Sequence, residues 1–310
     1  MTEKKKVIIL TGPTAVGKTK LSIALAKKVN GEIISADSMQ VYKMMDIGSA
    51  KIMPREMEGI PHYLIDCLLP SEEFNVVIFQ KMALAAMKEI WAKHKIPIIV
   101  GGTGFYIQSV IYDICFTPKE DEGQIRKELE KLALTRGKEY LHDWLKEVDP
   151  VSAMEIHANN QKRVIRALEY FLLTKEQISK HNLEQRLKES PYDFSYFVLN
   201  DKREKLYERI DRRVEEMIQQ GLEEEVKKLK ELGYNRSFVS MQGLGYKEML
   251  DYLDGKISLE EAIYMIKRDT RHFAKRQITW FKREKEVIWV SKDQFDYDDT
   301  KILDYMLERI

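Results

Sequence analysis

Residues 11–20 read TGPTAVGKTK. Glycines at 12 and 17 followed by Lys18-Thr19 satisfy the spacing G-x-x-x-x-G-K-S/T. The apolar run Val7-Ile8-Ile9-Leu10 comes before it, and a helix-like segment, 21–29, follows. Strand, glycine-rich loop and helix in that order are the context a phosphate-binding loop requires. Backbone N–H groups of Gly12, Pro13-Thr14, Ala15, Val16 and Gly17 can curl around phosphate oxygens. Proline contributes no N–H of its own, Lys18 adds a point charge, and Thr19 offers a hydroxyl to Mg²⁺. The competing reading is a chance glycine-rich turn, against which the ordered flanks speak. A phosphate loop does not name a reaction, so the rest of the chain has to.

At 310 residues the chain can form one large domain or two modest ones. Hydrophobic residues make up 44% and charged residues 33%, the balance of a globular protein with a real core. No apolar run approaches ~20 residues, so no membrane-spanning helix is expected. The basic start MTEKKKVIIL lacks the ~7–15-residue apolar stretch of a signal peptide. Cys67 and Cys115 have no metal-type spacing, and their apolar surroundings predict buried thiols rather than a disulfide, as suits a reducing cytoplasm. Net charge is +1, yet residues 265–285 hold eight Lys/Arg against two acids. Such a concentrated basic segment in a near-neutral protein suggests a local anionic partner.

Short apolar runs recur at 7–10, 32–37, 63–68, 96–102, 196–200 and 287–291, and helical patterns separate the first four. This rhythm predicts βαβ units, a parallel sheet covered by helices on both faces. The rhythm stops between about 116 and 191, where helical patterns at 124–134, 138–148 and 161–173 are punctuated by Pro118, Pro150 and Pro191. The expectation is an α/β core containing the P-loop, built from 1–115 plus 192–310, with an all-helical insertion at 116–191. Such a lobe can move relative to the core or pack rigidly on it; both readings stand. Later in the chain, Gly221 and Gly233 punctuate long helical stretches, and Ser258 with Glu261 has the spacing of a capping box.

Three further stretches bear on chemistry. Asp37 ends the second predicted strand, where open α/β sheets place their ligands, although a turn or cap aspartate reads the same way. VGGTGFY, 100–106, ends another strand; its glycines allow close backbone approach to a ligand or serve a tight turn, and either way Thr103 joins Gly12 and Asp37 on one rim. In RDTRHFAKRQITWFKR, 268–283, helical periodicity puts Arg268, Arg271, Lys275 and Lys282 on one face, with Phe273, Gln277, Trp280 and Phe281 roughly opposite. That is either a core-packed helix with a solvated basic face or a track for nucleic-acid phosphates.

Together these stretches resemble the tRNA dimethylallyltransferases (tRNA isopentenyltransferases). The likeness covers nearly the whole chain: GPTAVGKT (12–19), ISADSMQVYKMMDIGSAK (34–51), PHYLID (61–66), VGGTGFYIQ (100–108), QKRVIRALE (161–169), RIDRRVEEM (209–217), GLGYKE (243–248) and KRQITWF (275–281). It implies transfer of a dimethylallyl group from dimethylallyl diphosphate to the exocyclic amine of the adenine 3′-adjacent to the anticodon, in tRNAs reading UNN codons. The loop would then hold the diphosphate of the donor, with Mg²⁺ as cofactor. Asp37 resembles the family's proposed general base, Arg213 its charge-stabilising arginine, and Thr103 its substrate-orienting threonine, toward either the amine or the diphosphate. The family's tRNA contacts map onto Asp37, Ser38, Met39 and Gln40, onto Gln161, Lys162, Arg163, Val164 and Ile165, and onto Thr103 and Arg126. KRQITWF resembles its C-terminal tRNA-binding stretch, which brings in Lys275 and Arg276, with Arg271 on the basic face of the same helix. The insertion would clamp the tRNA anticodon stem-loop, and a cytoplasmic monomer is expected.

The alternative is a small-molecule kinase with the same loop, for which Asp66 in YLIDC offers a Walker-B-type acid. A non-catalytic RNA-binding module would need neither Asp37 nor residues 12–19.

Overall fold

The computed structural model describes residues 4–116 and 123–310; Pro118, expected to punctuate the helices, lies outside them. The chain forms two compact units, Met1–Ile111 with Pro191–Ile310, and Tyr112–Ser190. In the first, β1 (Lys5–Thr11) leads through the glycine loop into α1 (Lys18–Val29). Then come β2 (Gly31–Ala36), a two-residue β3 (His62–Tyr63), α2 (Val76–Ala92), β4 (Ile96–Gly101) and α3 (Gly104–Ile111). The second unit carries α4 (Gln124–Arg136), α5 (Lys138–Val148), α6 (Pro150–Glu155), α7 (Gln161–Thr174) and α8 (Ile178–Leu187). The chain rejoins the sheet at β5 (Tyr192–Asn200) and continues through α9 (Arg203–Gln219), α10 (Leu222–Glu231), α11 (Tyr246–Leu253) and α12 (Leu259–Phe281). It closes with β6 (Val287–Ser291) and α13 (Asp299–Leu307).

The six strands run parallel in the order β3-β2-β4-β1-β5-β6. Their continuous apolar sequences follow from burial on both faces. Ile8, Leu10, Ile33, Ile98, Phe197 and Leu199 share one core with Leu21 and Leu25 of α1, Leu206 and Ile210 of α9, and Ile302 and Met306 of α13. Alternation sends Val7, Ile9, Ile34 and Ile99 to the other face, where α2 packs on β2 and β4 and buries Phe79, Ala83, Met87 and Ile90. Each of the larger side chains among them stabilises the fold by about 1.5–3 kcal/mol through the water it sheds.

This strand order positions the site. Ala36 and Thr11 both pair with Gly101, so the C-terminal ends of β2, β4 and β1 lie side by side. The loops that follow them, from Asp37, Gly102 and Gly12, therefore share one rim.

Two expectations are corrected. YLIDCL is not a strand beyond Tyr63, because Leu64 and Asp66 take left-handed backbone conformations, with φ of 61° and 52°. Asp66 is drawn out of line by the buried Lys51, whose ammonium bonds Asp66 Oδ1 at 2.5 Å, Asp46 Oδ1 at 2.6 Å and the Tyr42 carbonyl at 2.6 Å. Cys67 and Cys115 are exposed rather than buried, since the irregular segments they occupy turn them outward. As the spacing predicts, Ser258 and Glu261 close a capping box at the start of α12.

The helical unit has its own core, in which Leu129, Leu141, Leu145, Val164, Ile165 and Leu168 meet. A buried aspartate organises its remaining corner. Asp149 accepts hydrogen bonds from the amide and hydroxyl of Ser152 at 3.0 and 2.7 Å, and from those of Ser179 at 3.0 and 2.7 Å. Burial pushes its pKa up, but these four donors outweigh that and hold it below the ordinary carboxylate value.

Candidate active site

The phosphate loop begins where only glycine fits. Gly12 has φ 141°, and a Cβ there would lie 2.4 Å from the Leu199 carbonyl oxygen. Gly17 precedes α1 without any side-chain cap, and the first turn of α1 carries no acid. Its free N–H groups and positive dipole end are thus available to an anion. By contrast, the first turns of α10 and α12 carry their own glutamates.

Three charges meet at this loop. Lys18 donates to the carbonyls of Gly12 at 3.0 Å and Pro13 at 2.8 Å. Burial, with the nearby Arg213 second, lowers its pKa from 10.5 to about 8, while Asp37 pulls the other way. Arg213 on α9 donates to Thr14 Oγ1 at 3.4 Å; burial lowers its pKa and the charge of Asp37 opposes that. Asp37 uses Oδ1 to accept the amides of Met39 at 2.8 Å and Gln40 at 3.4 Å. This is the local turn an aspartate favours, and it uses only one of the two carboxylate oxygens. Thr103 is anchored through its amide to the Ala36 carbonyl at 3.3 Å, and its own carbonyl opens α3. The structure therefore brings Arg213, Asp37 and Thr103 to the C-terminal end of the sheet, beside Lys18 and the rest of residues 12–19.

The depressed Lys18 pKa has a measurable consequence. An anion in the loop favours the ammonium form, so binding holds or recruits a proton there. Pyrophosphate affinity attributable to Lys18 should be constant below about pH 8, where the free protein already carries that proton. It should fall as pH rises above that value. The difference between the wild type and Lys18→Met across a calorimetric pH series isolates this contribution from the ionisation of pyrophosphate itself. A difference that stays level from pH 7 to 9.5 would refute it.

Other expected contacts are placed less uniformly. Ser38, Met39 and Gln40 are half-buried. The Gln40 amide donates to the Ala50 carbonyl at 3.3 Å and helps to shape its own loop. In the helical unit Gln161, Lys162 and Arg163 are exposed, whereas Val164 and Ile165 turn into the apolar core. Arg126 bonds the buried Glu169 at 2.6 Å, alongside Arg166 at 3.0 Å. On α12 Lys275 and Arg276 are exposed, but Arg271 is engaged with Asp211 at 2.5 Å and lies over the Tyr207 ring.

Several supporting residues escape a reading by sequence. Arg209 donates to the Ala15 carbonyl at 3.0 Å and to the carboxylate of the fully buried Asp201. It thereby holds Ala15 at φ 61°, a conformation costly for any residue with a Cβ. The four-residue step from Arg209 to Arg213 was the available signal, since it puts both on one helix face. Glu225 has no such signal. Its carboxylate accepts the amides of Asp46, Ile47 and Gly48 at 2.8, 2.7 and 3.1 Å and the Tyr246 hydroxyl at 2.8 Å. It thus shapes the segment downstream of Asp37 from about 180 residues away. A cavity of about 690 Å³ lined by Met44, Ile47, Glu225 and Leu229 opens beside this nest and includes none of the predicted site residues.

Among the described residues, no group of three His, Cys, Asp or Glu side chains is placed to hold a metal by itself. Thr19 presents an exposed hydroxyl at the start of α1. That sparse donor set suits a divalent cation held largely by phosphate oxygens and water, as Mg²⁺ commonly is. No helix among the described residues is long and apolar enough to cross a membrane.

Fold and rim together define a parallel α/β protein of the P-loop type, with the glycine-rich loop at the N-terminus of α1 next to a carboxylate. The chain belongs to the IPP transferase family, whose sequence profile matches residues 40–284. It is 64% identical over 302 residues to the tRNA dimethylallyltransferase of Lachnoclostridium phytofermentans, covering 97% of this chain and 96% of the relative. It is 53% identical to that of Acetivibrio thermocellus, covering 94% of each. Among solved structures, the tRNA isopentenylpyrophosphate transferase of Bacillus halodurans superposes with a TM-score of 0.74 at 45% identity, over 99% of this chain and 97% of the other. A eukaryotic dimethylallyltransferase acting on tRNA gives 0.84 at 32% identity, over 99% and 80%. Membership of this family implies divalent-metal-dependent catalysis.

Proposed function

We propose that the protein transfers a dimethylallyl group from dimethylallyl diphosphate to the exocyclic amine of the adenine 3′-adjacent to the anticodon, in tRNAs reading UNN codons. Diphosphate is released. The observation that carries this reading is the uncapped N-terminus of α1, with Lys18 and Arg213, on the same rim as the carboxylate of Asp37.

The adenine amine is a weak nucleophile because its lone pair is delocalised into the ring. As nitrogen attacks the first carbon of the donor, the N–C bond forms and the allylic C–O bond breaks. Asp37 takes the proton released from nitrogen. The loop amides from Ala15 onward, with Lys18 and Arg213, stabilise the negative charge that grows on the departing diphosphate, whereas the Thr14 amide is already bonded to Gln277. Thr103 orients the amine or a diphosphate oxygen. Thr19 would hold Mg²⁺, which when bound would neutralise diphosphate oxygens. The target base leaves the anticodon-loop stack to reach the rim. Gln161, Lys162 and Arg163 of the helical unit and Lys275 and Arg276 of α12 serve as contacts to the anticodon stem-loop.

The kinase reading loses its support, because Asp66 does not end a strand but lies beyond β3 in a left-handed turn, with Oδ1 bonded to Lys51. Incubation of the purified protein with radiolabelled dimethylallyl diphosphate and unmodified tRNA reading UNN codons tests the reaction. Label should enter the tRNA without ATP. ATP turnover with no label in RNA would overturn the proposal.

A further inference from the structure

We propose that Gln277 is a positioning residue that fixes the distance between the two reactant subsites; this rests on the transfer reaction proposed above. The helical pattern puts Gln277 on the apolar side of α12, and the structure buries it there at 6% exposure. Its Nε2 donates to the Gly102 carbonyl at 3.0 Å, and its Oε1 accepts the Thr14 amide at 2.9 Å. One planar amide thus joins the phosphate loop, through Thr14, to the residue next to Thr103.

The surroundings are built for this bridge. The pairing of β1 with β4 ends at Thr11 and Gly101, so beyond those residues the two loops have left the ladder. A Cβ at Gly102 would lie 2.1 Å from the Gln277 amide nitrogen, and one at Gly104 would lie 2.2 Å from the Trp280 ring. Glycine at these positions lets α12 approach both backbones. The bridge also demands a donor and an acceptor on one side chain, because it meets a carbonyl on one side and an N–H on the other. A carboxylate would set oxygen against the Gly102 oxygen. A protonated carboxyl would restore both bonds. An aliphatic side chain would leave two buried backbone groups without partners.

Since Thr14 also receives Arg213, and Thr103 follows Gly102, the amide sets where the diphosphate sits relative to the adenine. Losing it should misplace the reactants relative to one another more than it weakens either one's binding.

The test compares wild type, Gln277→Leu and Gln277→Glu in prenyl transfer to unmodified tRNA from pH 6 to 9, with melting curves. Gln277→Leu should lose on the order of 10–100-fold in kcat at every pH, with both KM values within about threefold of wild type. Gln277→Glu should match the Leu variant at pH 9 and regain most of its kcat, relative to wild type, as pH falls to 6 and its buried carboxyl takes a proton. A Leu variant with wild-type kcat would overturn the inference. So would a Glu variant whose pH profile parallels wild type, a loss confined to the KM for tRNA, or a Glu variant unfolded at both ends of the range. Deuterium exchange at the Thr14 amide, read without substrate, separates the bridge from the reaction. Faster exchange in the Leu variant supports the bridge, and unchanged exchange refutes it, whereas a wild type that transfers nothing refutes the reaction alone.

Discussion

Asp37→Ala lowers the turnover of prenyl transfer by ~10²–10⁴-fold, the usual contribution of a positioned general base. The structure makes a sharper companion available. Asp37 Oδ1 holds the amides of Met39 and Gln40, and an asparagine oxygen can accept the same two bonds. Asp37→Asn therefore keeps the turn, and with it the placement of Ser38, Met39 and Gln40, but its amide cannot take a proton at neutral pH. Both variants should show the same loss in kcat, and tRNA affinity of the Asn variant should stay near wild type. If the Asn variant turns over normally while the Ala variant is impaired, Asp37 shapes the loop and has no part in proton transfer. Single-turnover measurements with saturating tRNA distinguish the two cases.

Lys18→Ala lowers transfer by on the order of 10²–10³-fold, the usual result of removing one group aimed at charge that develops in the transition state. The loss falls on turnover as well as on donor affinity, because the diphosphate carries its greatest charge as it departs. Lys18 is the cation nearest the loop's own backbone, already held by the Gly12 and Pro13 carbonyls, so an incoming diphosphate takes over contacts that those oxygens now supply. Pyrophosphate should compete with the prenyl donor in the wild type, and the competition should weaken in the variant. ATP should compete less well, because its ribose and base have no counterpart in a five-carbon chain. A strict requirement for ATP hydrolysis would falsify this account of residues 12–19.

Much of the fold was legible because its signals are local. The runs at 7–10, 32–37 and 96–102 are buried on both faces, so their apolar character is continuous. Helices 124–136, 138–148 and 161–174 carry plain periodicity. What failed to show depended on partners remote in sequence. Nothing within YLIDCL reveals that Lys51 will pull Asp66 out of an extended conformation. The helices α6 and α8 are short and are joined through Asp149, whose two serine partners lie on separate segments. For the candidate site, the phosphate loop, Asp37 and Thr103 were legible from their places at strand ends, and Arg213 only through the family resemblance; the structure brings Arg213 to Thr14 of the loop. The roles of Gln277 and Glu225 were not legible. Periodicity puts Gln277 on the apolar face of its helix but names no partner for it, and a glutamate in an acidic helix looks like an ordinary surface residue until the packing turns it toward backbone groups elsewhere.

The bridge from Thr14 to Gln277 also has a history in time. On the ribosome the phosphate loop emerges well before α12, with on the order of 10–50 s of synthesis between them. Through about a third of that interval Val7 to Leu10 has β4 on one side and no β5 on the other, because β5 follows the whole helical unit. The nascent protein thus carries an apolar, unpaired strand edge that invites association with other chains. It also carries a substrate-binding rim whose spacing is unset until residue 277 is made. Prematurely terminated chains that end ahead of α12 should contain every motif of the first hundred residues and still be inert.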